Sequence, residues 1–404
     1  MKTPSVPFFS LHEQTQAIKP ACLAALEKLL DNQQFIGGPS ITALEQELAA
    51  YLKVKHVITC NSGTDALWIA VHALDVKPND IVLTTPFSFI ASASELIPHG
   101  AHPVFIDVDA ATYNLDPKLV RRWLMANTHR VGSRTVHRTT GFPVVGMIPV
   151  HLFGQCADMD SLLAIAREFN LWVIEDTAQA IGSTLQGRYA GTMGDIGTFS
   201  FYPTKNLGAF GDGGCMVTNN DEVAERLLRL RNHGRKSHYN YEGYGLNSRL
   251  DAMQAEILRI KLKLVDGYNS RSREIAARYD AALQQVPYLQ TPTSVHGVHT
   301  YHQYAVVIKQ EVCGLSRDAV VQELEAKGIG TRVFYPQSLP AIDYLRTRDD
   351  LQNATPIADF LTSNILALPI WPELSEEQVE HVINAIGTLP LATVPQRIAA
   401  AGMI

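Results

Sequence analysis

Residues 171–180 read LWVIEDTAQA: four apolar side chains in unbroken succession, then the acid pair Glu175–Asp176 and a run of small and polar residues. A strand with one solvated face alternates apolar and polar positions, whereas a strand buried on both faces does not. The stretch therefore reads as an inner strand of a parallel sheet, with Asp176 at the end where open α/β sheets bind ligands. Working outward, similar runs recur at KHVITC (55–60), DIVLTTPFSF (80–89), HPVFIDVD (102–109), VVGMIPVHLFG (144–154) and GCMVTNN (214–220). Helical patterns run from Thr64 to Leu74, over 158–170 and over 221–232. This alternation predicts an α/β fold with a mostly parallel sheet covered on both faces.

The strand series stops near residue 220. A continuous helical pattern spans 248–285, followed by a strand at TYHQYAVVI (300–308), a helix at 316–327, the segment IGTRVFY (329–335) and a last helix at 374–386. A second, smaller α+β domain is expected, with 1–250 forming the large domain and 251–404 the small one. Residues 126–142 (ANTHRVGSRTVHRTTGF) hold three arginines, two histidines and no acid. They read as a solvated surface loop in preference to a lid or subunit contact.

Of the 404 residues, 46% are hydrophobic and 18% charged, enough for a large core. The net charge of −6 argues against a nucleic-acid binder, which carries a basic excess, so any anionic ligand must be met by local groups. The five cysteines are scattered without CxxC spacing and predict neither a zinc site nor a disulfide framework. The opening MKTPSVPFFSLHEQ has no signal-like apolar core, and no run approaches the roughly 18–20 apolar residues of a membrane span. A cytoplasmic protein is expected, with no metal, membrane or nucleic-acid partner.

Three local patterns carry chemistry. TFSFYPTKNLGAFGDGG (198–214) sets Lys205 between a strand-like segment and a glycine-rich stretch. Its neighbours Phe199, Phe201 and Tyr202 would desolvate the amine and lower its pKa, which suits a Schiff base with a carbonyl cofactor; a plain surface lysine is the alternative. Asp176 either caps the next helix or pairs with a cationic nitrogen, as the pyridinium of pyridoxal phosphate requires, with Gln179 facing the same ligand. In CNSGTDALWIA (60–70), strand, turn and helix make either an ordinary N-cap or a phosphate cradle that Ser200 can also reach. Phe89 belongs to the core or stacks on a flat cofactor ring. Phosphate turn, aromatic, strand-end aspartate and lysine follow one another through one domain, the succession a pyridoxal phosphate enzyme needs.

With these residues in place, the chain resembles the sugar aminotransferases of the DegT/DnrJ/EryC1/StrS family over almost its whole length. The matching blocks include FIGGPSITALEQELAAYL (35–52), NSGTDAL (61–67), TTPFSFIASA (84–93), PVHLFGQCADMD (149–160), IEDTAQAIG (174–182), FSFYPTKNLGAFGDGG (199–214), GLNSRLDAMQAEIL (245–258) and LALPIWPELSEEQV (366–379). The resemblance implies an aspartate-aminotransferase-like (fold type I) large domain. It also implies that Lys205 forms the internal aldimine and then shuttles protons, that Asp176 partners the pyridinium nitrogen, and that Gln179 contacts the cofactor. Gly63, Thr64 and Ser200 match phosphate-binding positions, and Phe89 the stacking ring. Asn247 matches a residue reaching the phosphate from the other subunit, which implies a homodimer with shared active sites. Some members replace the lysine by histidine and act as sugar dehydratases; the presence of Lys205 favours amino transfer. Two departures stand out: FYPQSLP (334–340) lacks the histidine many relatives carry soon after Tyr-Pro, and 126–142 is longer than usual.

The expected reaction moves an amino group from L-glutamate, released as 2-oxoglutarate, through pyridoxamine phosphate to a keto group of a nucleotide-linked sugar, in ping-pong order. GQCAD, YNLDP (113–117) and GDGG favour C3 over C4 of the sugar. The segment RLRNHGRKSHYNYEGYG (229–245), with Arg231, His233, Arg235, Lys236 and His238, is either a diphosphate entrance or an ordinary basic loop after a helix. Tyr335 is a further candidate substrate contact. The rival readings are another pyridoxal phosphate reaction on a sugar, such as dehydration, and a non-catalytic regulator.

Overall fold

The apolar runs become strands of a nine-stranded sheet in the computed structural model, which describes residues 5–237, 239–346 and 348–390. In chain order they are β1 (His56–Cys60), β2 (Ile81–Thr84), β3 (His102–Phe105), β4 (Thr128–Val131), β5 (Arg134–His137), β6 (Pro143–Ile148) and β7 (Trp172–Asp176). A separate ribbon, β8 (Thr184–Leu185) with β9 (Arg188–Tyr189), precedes β10 (Ile196–Ser200) and β11 (Gly214–Thr218). β7 lies between β10 and β6, and β10, β7, β6, β2 and β3 all run parallel. At the opposite edge β11 pairs antiparallel with β10 and β1 antiparallel with β11, so β11 alone of these three opposes the parallel strands.

The unbroken hydrophobicity of the strands follows from two covered faces. On one, Ile58, Val82, Ile174, Ile196 and Met216 pack against α3 (Gly63–Ala73, the third long helix after α1, His12–Asn32, and α2, Pro39–Leu52) and the helix Asp221–Leu230. On the other, Ile81, Leu83, Val104, Met147 and Val173 meet the helices Pro117–Asn127 and Met159–Phe169. Val57, Phe199, Cys215 and Val217 extend that second face beneath α2 and the helix Ala252–Leu262.

Beyond a ribbon of β12 (Arg235–Ser237) and β13 (Asn240–Tyr241), the C-terminal part forms an antiparallel sheet in the order β14 (Leu289–Gln290), β15 (Tyr304–Ile308), β16 (Ile365–Leu368). Its core gathers Tyr279, Tyr304, Leu324, Leu366 and Val382, and Val6 joins it by bridging Ile329. Ala305 and Val307, on the opposite face of β15, pack with Phe87, Val108 and Val150, which seats this unit on the C-terminal end of the large sheet.

Two expectations need correction. Residues 126–142 are not an irregular loop: β4 and β5 form an antiparallel hairpin around Gly132, at φ +62°, and β5 pairs with the first residues of β6. The hairpin thus lies at the N-terminal end of the parallel strands, opposite Asp176. The helical pattern at 248–285 breaks at Lys263–Leu264 into Ala252–Leu262 and Val265–Leu283. The first piece packs on α1 and α2 and the second on Glu376–Gly387. IGTRVFY contributes only the bridges of Ile329 to Val6 and of Arg332 to Ala367.

Candidate active site

Asp176 closes β7 in register with Thr198 of β10, so the residues just beyond both strands share one edge of the sheet. Its carboxylate is buried, at 4% exposure, yet each oxygen has a donor: Ser92 Oγ at 2.7 Å from Oδ2 and the Ala178 N–H at 3.1 Å from Oδ1. Ser92 is itself paired with Ser88 at 2.9 Å. The loop from β10 to β11 carries Lys205, whose N–H donates to Tyr202 O at 2.8 Å. The Lys205 side chain is half-buried, and its amine has no hydrogen bond or ion pair among the described residues. Burial lowers its pKa to about 8 while the charge of Asp176 pulls the other way, so the two groups interact electrostatically.

The turn after β1 satisfies both of its sequence readings. Ser62 caps α3 by accepting from Asp65 N at 3.0 Å. Gly63 and Thr64, as the first helical residues, keep N–H groups without intrahelical acceptors, aimed along the positive end of the helix dipole. Ser200 packs directly on this turn. A Cβ at Gly63 would stand 2.7 Å from Ser200 Cβ, so only glycine lets the end of β10 come this close. Ser248 ties the next segment to the same turn, donating to Asp65 Oδ2 at 2.6 Å and accepting from Asn61 N at 3.1 Å. Its neighbour Asn247 is exposed.

Phe89 is not a core residue: 55% of it is exposed, and the buried aromatic of that segment is Phe87. Gln179 is held at both ends, Oε1 accepting from Phe153 N at 2.7 Å and Nε2 donating to Tyr335 Oη at 3.0 Å. Tyr335 thereby reaches the sheet edge from the C-terminal part and stands edge-on to Phe87, with ring centroids 5.9 Å apart. The sequence reading did not single out Ser92, although it lies within the quoted TTPFSFIASA block.

These side chains fit pyridoxal phosphate: an unpaired half-buried amine for its aldehyde, a buried carboxylate for its ring nitrogen, and free helix-terminal N–H groups beside the Ser200 hydroxyl for its phosphate. The basic segment divides. Arg231 is already committed, its guanidinium 2.6 Å from Glu45 Oε1 and 2.7 Å from Thr59 O, and this pairing takes it out of the entrance set. His233 and Arg235 are exposed with no side-chain partner among the described residues. Lys236 pairs with Glu242, and His238 lies outside the described residues.

Beside Asp176, Glu175 points to the opposite face and is fully buried against His151, 2.8 Å away. His151 Nδ1 accepts from Ala157 N, so the proton sits on Nε2 and is donated to Glu175. Burial alone would raise the Glu175 pKa, but the hydrogen bond and charge of His151, with N–H donors from Gly194 and Gly191, hold it below the usual value. Glu175→Gln turns one amide N–H₂ against these donors and is expected to cost about 2–4 kcal/mol, read from the denaturation midpoint. Because the folded value is depressed, the carboxylate's contribution is present above its unfolded pKa of about 4.3 and is lost as pH falls through the folded value. The stability gap between wild type and variant should accordingly narrow in acid.

The DegT/DnrJ/EryC1/StrS aminotransferase family model matches residues 16–387. The chain belongs to this family. It is 39% identical over 385 residues to a "pleiotropic regulatory protein" of Geobacillus stearothermophilus, covering 95% of this chain and 98% of that one. It is 38% identical to a UDP-N-acetyl-3-dehydro-alpha-D-glucosamine 3-aminotransferase of Acidithiobacillus ferrooxidans, with 95% and 97% covered. Among solved structures, S. venezuelae DesV in complex with a ketimine intermediate superposes with a TM-score of 0.86 at 35% identity, over 95% of this chain and 98% of that one. The fold is thus that of the family's pyridoxal phosphate-dependent aminotransferases.

Proposed function

We propose that this protein transfers the amino group of L-glutamate to the C3 keto group of a nucleotide-linked sugar, as a cytoplasmic homodimer with shared active sites. The observation that carries this reading is the unpaired, half-buried Lys205 amine beside the buried Asp176 carboxylate, at the sheet edge that also holds the Gly63–Thr64–Ser200 turn. Bound there, pyridoxal phosphate would supply the electron sink for the carbanion formed when the donor's α-proton leaves. Lys205 Nζ takes that proton and returns it on the sugar side. Asp176 holds the proton of the ring nitrogen, Gly63, Thr64 and Ser200 bind the phosphate, and Phe89, free at the site's surface, covers the ring. Gln179 and Tyr335 act together at its edge, with Tyr335 reaching towards the sugar.

His233 and Arg235 are the free basic groups for the sugar's diphosphate. The 3-dehydro sugar and 3-aminotransferase named for the Acidithiobacillus relative support C3. The exposed apolar side chains Phe35, Ile36, Phe210 and Met253 support the homodimer: Ile36 bridges Asp251, and Phe210 N donates to Gln254, so the four lie on adjoining segments. In that dimer Asn247 reaches the partner's phosphate site. No helix among the described residues is long and apolar enough to cross a membrane. We place the boundary between the large and small domains near residue 250.

L-Glutamate added to the yellow cofactor-loaded enzyme should bleach it, and a nucleotide-linked 3-keto sugar should restore the colour. Persistent colour rules out this donor. Restoration by 4-keto but not 3-keto sugars overturns the position. The regulator named among the relatives keeps a second reading in view, and a Lys205→Ala chain that retains its cellular role would favour it.

A further inference from the structure

Beside Lys205 lies a small cavity of about 30 Å³ lined by Lys205, Asn206, Tyr268, Ser272, His302 and Trp371 among others. Trp371 Nε1 and Gln14 Oε1, which belong to its lining residues, are buried without partners, so the cavity offers a hydrogen-bonding occupant one donor and one acceptor. His302 lies just before β15, and no step of the proposed chemistry engages it.

A chain of amides fixes its protonation. Asn269 Nδ2 donates to the backbone carbonyl of Ile181 at 3.1 Å, which leaves Asn269 Oδ1 as an acceptor. Asn206 Nδ2 donates to that oxygen at 2.7 Å and to Thr300 O at 3.3 Å, so Asn206 Oδ1 must face the other way, towards His302 Nδ1 at 3.0 Å. An amide oxygen only accepts, and Nδ1 therefore carries the proton. Two backbone carbonyls anchor this direction, since neither could tolerate a flipped amide. The imidazole's remaining nitrogen, Nε2, is left with a lone pair. Burial and the nearby Lys205 charge both disfavour a second proton on the ring.

Resting on the reading of Lys205 as the proton-moving base, we infer that His302 is a positioning residue for it: once the donor has displaced the Lys205 amine from the cofactor and the side chain has turned into the cavity that both residues line, the Nε2 lone pair of His302 accepts a hydrogen bond from that amine. An ammonium and an amine both offer an N–H, so the contact serves Lys205 before and after it takes the donor's proton. Without it, a four-carbon side chain released from its anchor samples many rotamers, and proton transfer waits for the productive one.

The test uses the full-length enzyme loaded with pyridoxamine phosphate, in which Lys205 is free. ¹⁵N NMR of His302 near pH 7 should show a protonated Nδ1 and an unprotonated Nε2; a protonated Nε2 overturns the inference. His302→Phe should lower kcat about 10- to 100-fold with the KM for glutamate nearly unchanged, and His302→Gln, whose amide oxygen can accept, should recover most of the loss. Should the phenylalanine variant fail to fold, Asn206→Leu keeps the imidazole but releases its tautomer, and the same kcat loss with mixed ¹⁵N signals is expected. Wild-type kcat in either folded variant overturns the inference. Failure of the underlying reading looks different: Lys205→Ala would then keep its turnover, whereas a normal loss there beside an unaffected His302→Phe sinks only the role of His302.

Discussion

Lys205→Ala is expected to lower amino transfer by about 10⁴-fold or more and to abolish the covalent attachment of the cofactor. Both losses trace to one atom. Lys205 Nζ is the unpaired amine at the C-terminal edge of the sheet next to Asp176, and its pKa of about 8 leaves an appreciable neutral fraction near physiological pH. The folded structure should tolerate the change, because the amine makes no hydrogen bond or ion pair among the described residues and no partner is stranded. Stopped-flow turnover together with borohydride trapping checks it: the wild type should yield a reduced adduct on Lys205, and the variant none. An added primary amine that restores part of the rate would assign the missing function to proton transfer. In the wild type, capture of the cofactor aldehyde should accelerate with pH up to about 8 and level off above, since only the neutral amine attacks.

Asp176→Asn should cost about 10²- to 10³-fold in kcat while the protein still folds. The substitution keeps the shape and one of the two acceptors. Ala178 N–H can only donate, so the amide oxygen must face it. The new N–H₂ then falls to Ser92, whose hydroxyl can turn to accept. What disappears is the negative charge that stabilises a protonated ring nitrogen, and with it the ring's capacity to hold electrons. The expected signature is a fall in kcat for both half-reactions with the donor KM little changed; equal rates in wild type and variant would remove Asp176 from the mechanism. Asp176→Ala also leaves the Ala178 N–H without this acceptor and should additionally lower the denaturation midpoint.

The legible parts of this sequence were those governed by short-range rules. LWVIED had to be an inner strand, because only a position covered on both faces accepts unbroken apolar residues, and Val173 and Ile174 do enter opposite cores. The Asn-Ser-Gly-Thr turn is equally local: it follows β1 and opens α3 in the structure. The hairpin at 128–137 was less visible, since its outer positions are charged and its polar alternation looks like a loop until β6 supplies a partner. Periodicity could not place the break at Lys263–Leu264 either. The helical repeat is similar on both sides, and the break is marked only by the separate packing partners, α1 with α2 for the first piece and Glu376–Gly387 for the second.

The sequence by itself determined the layered α/β fold, the family, and the order of the cofactor-facing residues, because each depends on neighbours a few positions away or on motifs within one turn. Which member of a local set faces the site was decided by tertiary structure. Phe87 went to the core and Phe89 to the surface, although both lie in one aromatic run. Arg231 was consumed by Glu45, 186 positions away, while Arg235 stayed free. His302 acquired its tautomer from an amide chain that begins at Ile181 and passes through Asn269 and Asn206. A side chain's role as donor, acceptor or structural tie is set by whatever occupies its hydrogen-bonding directions, and those partners come from distant segments that only the folded chain brings together.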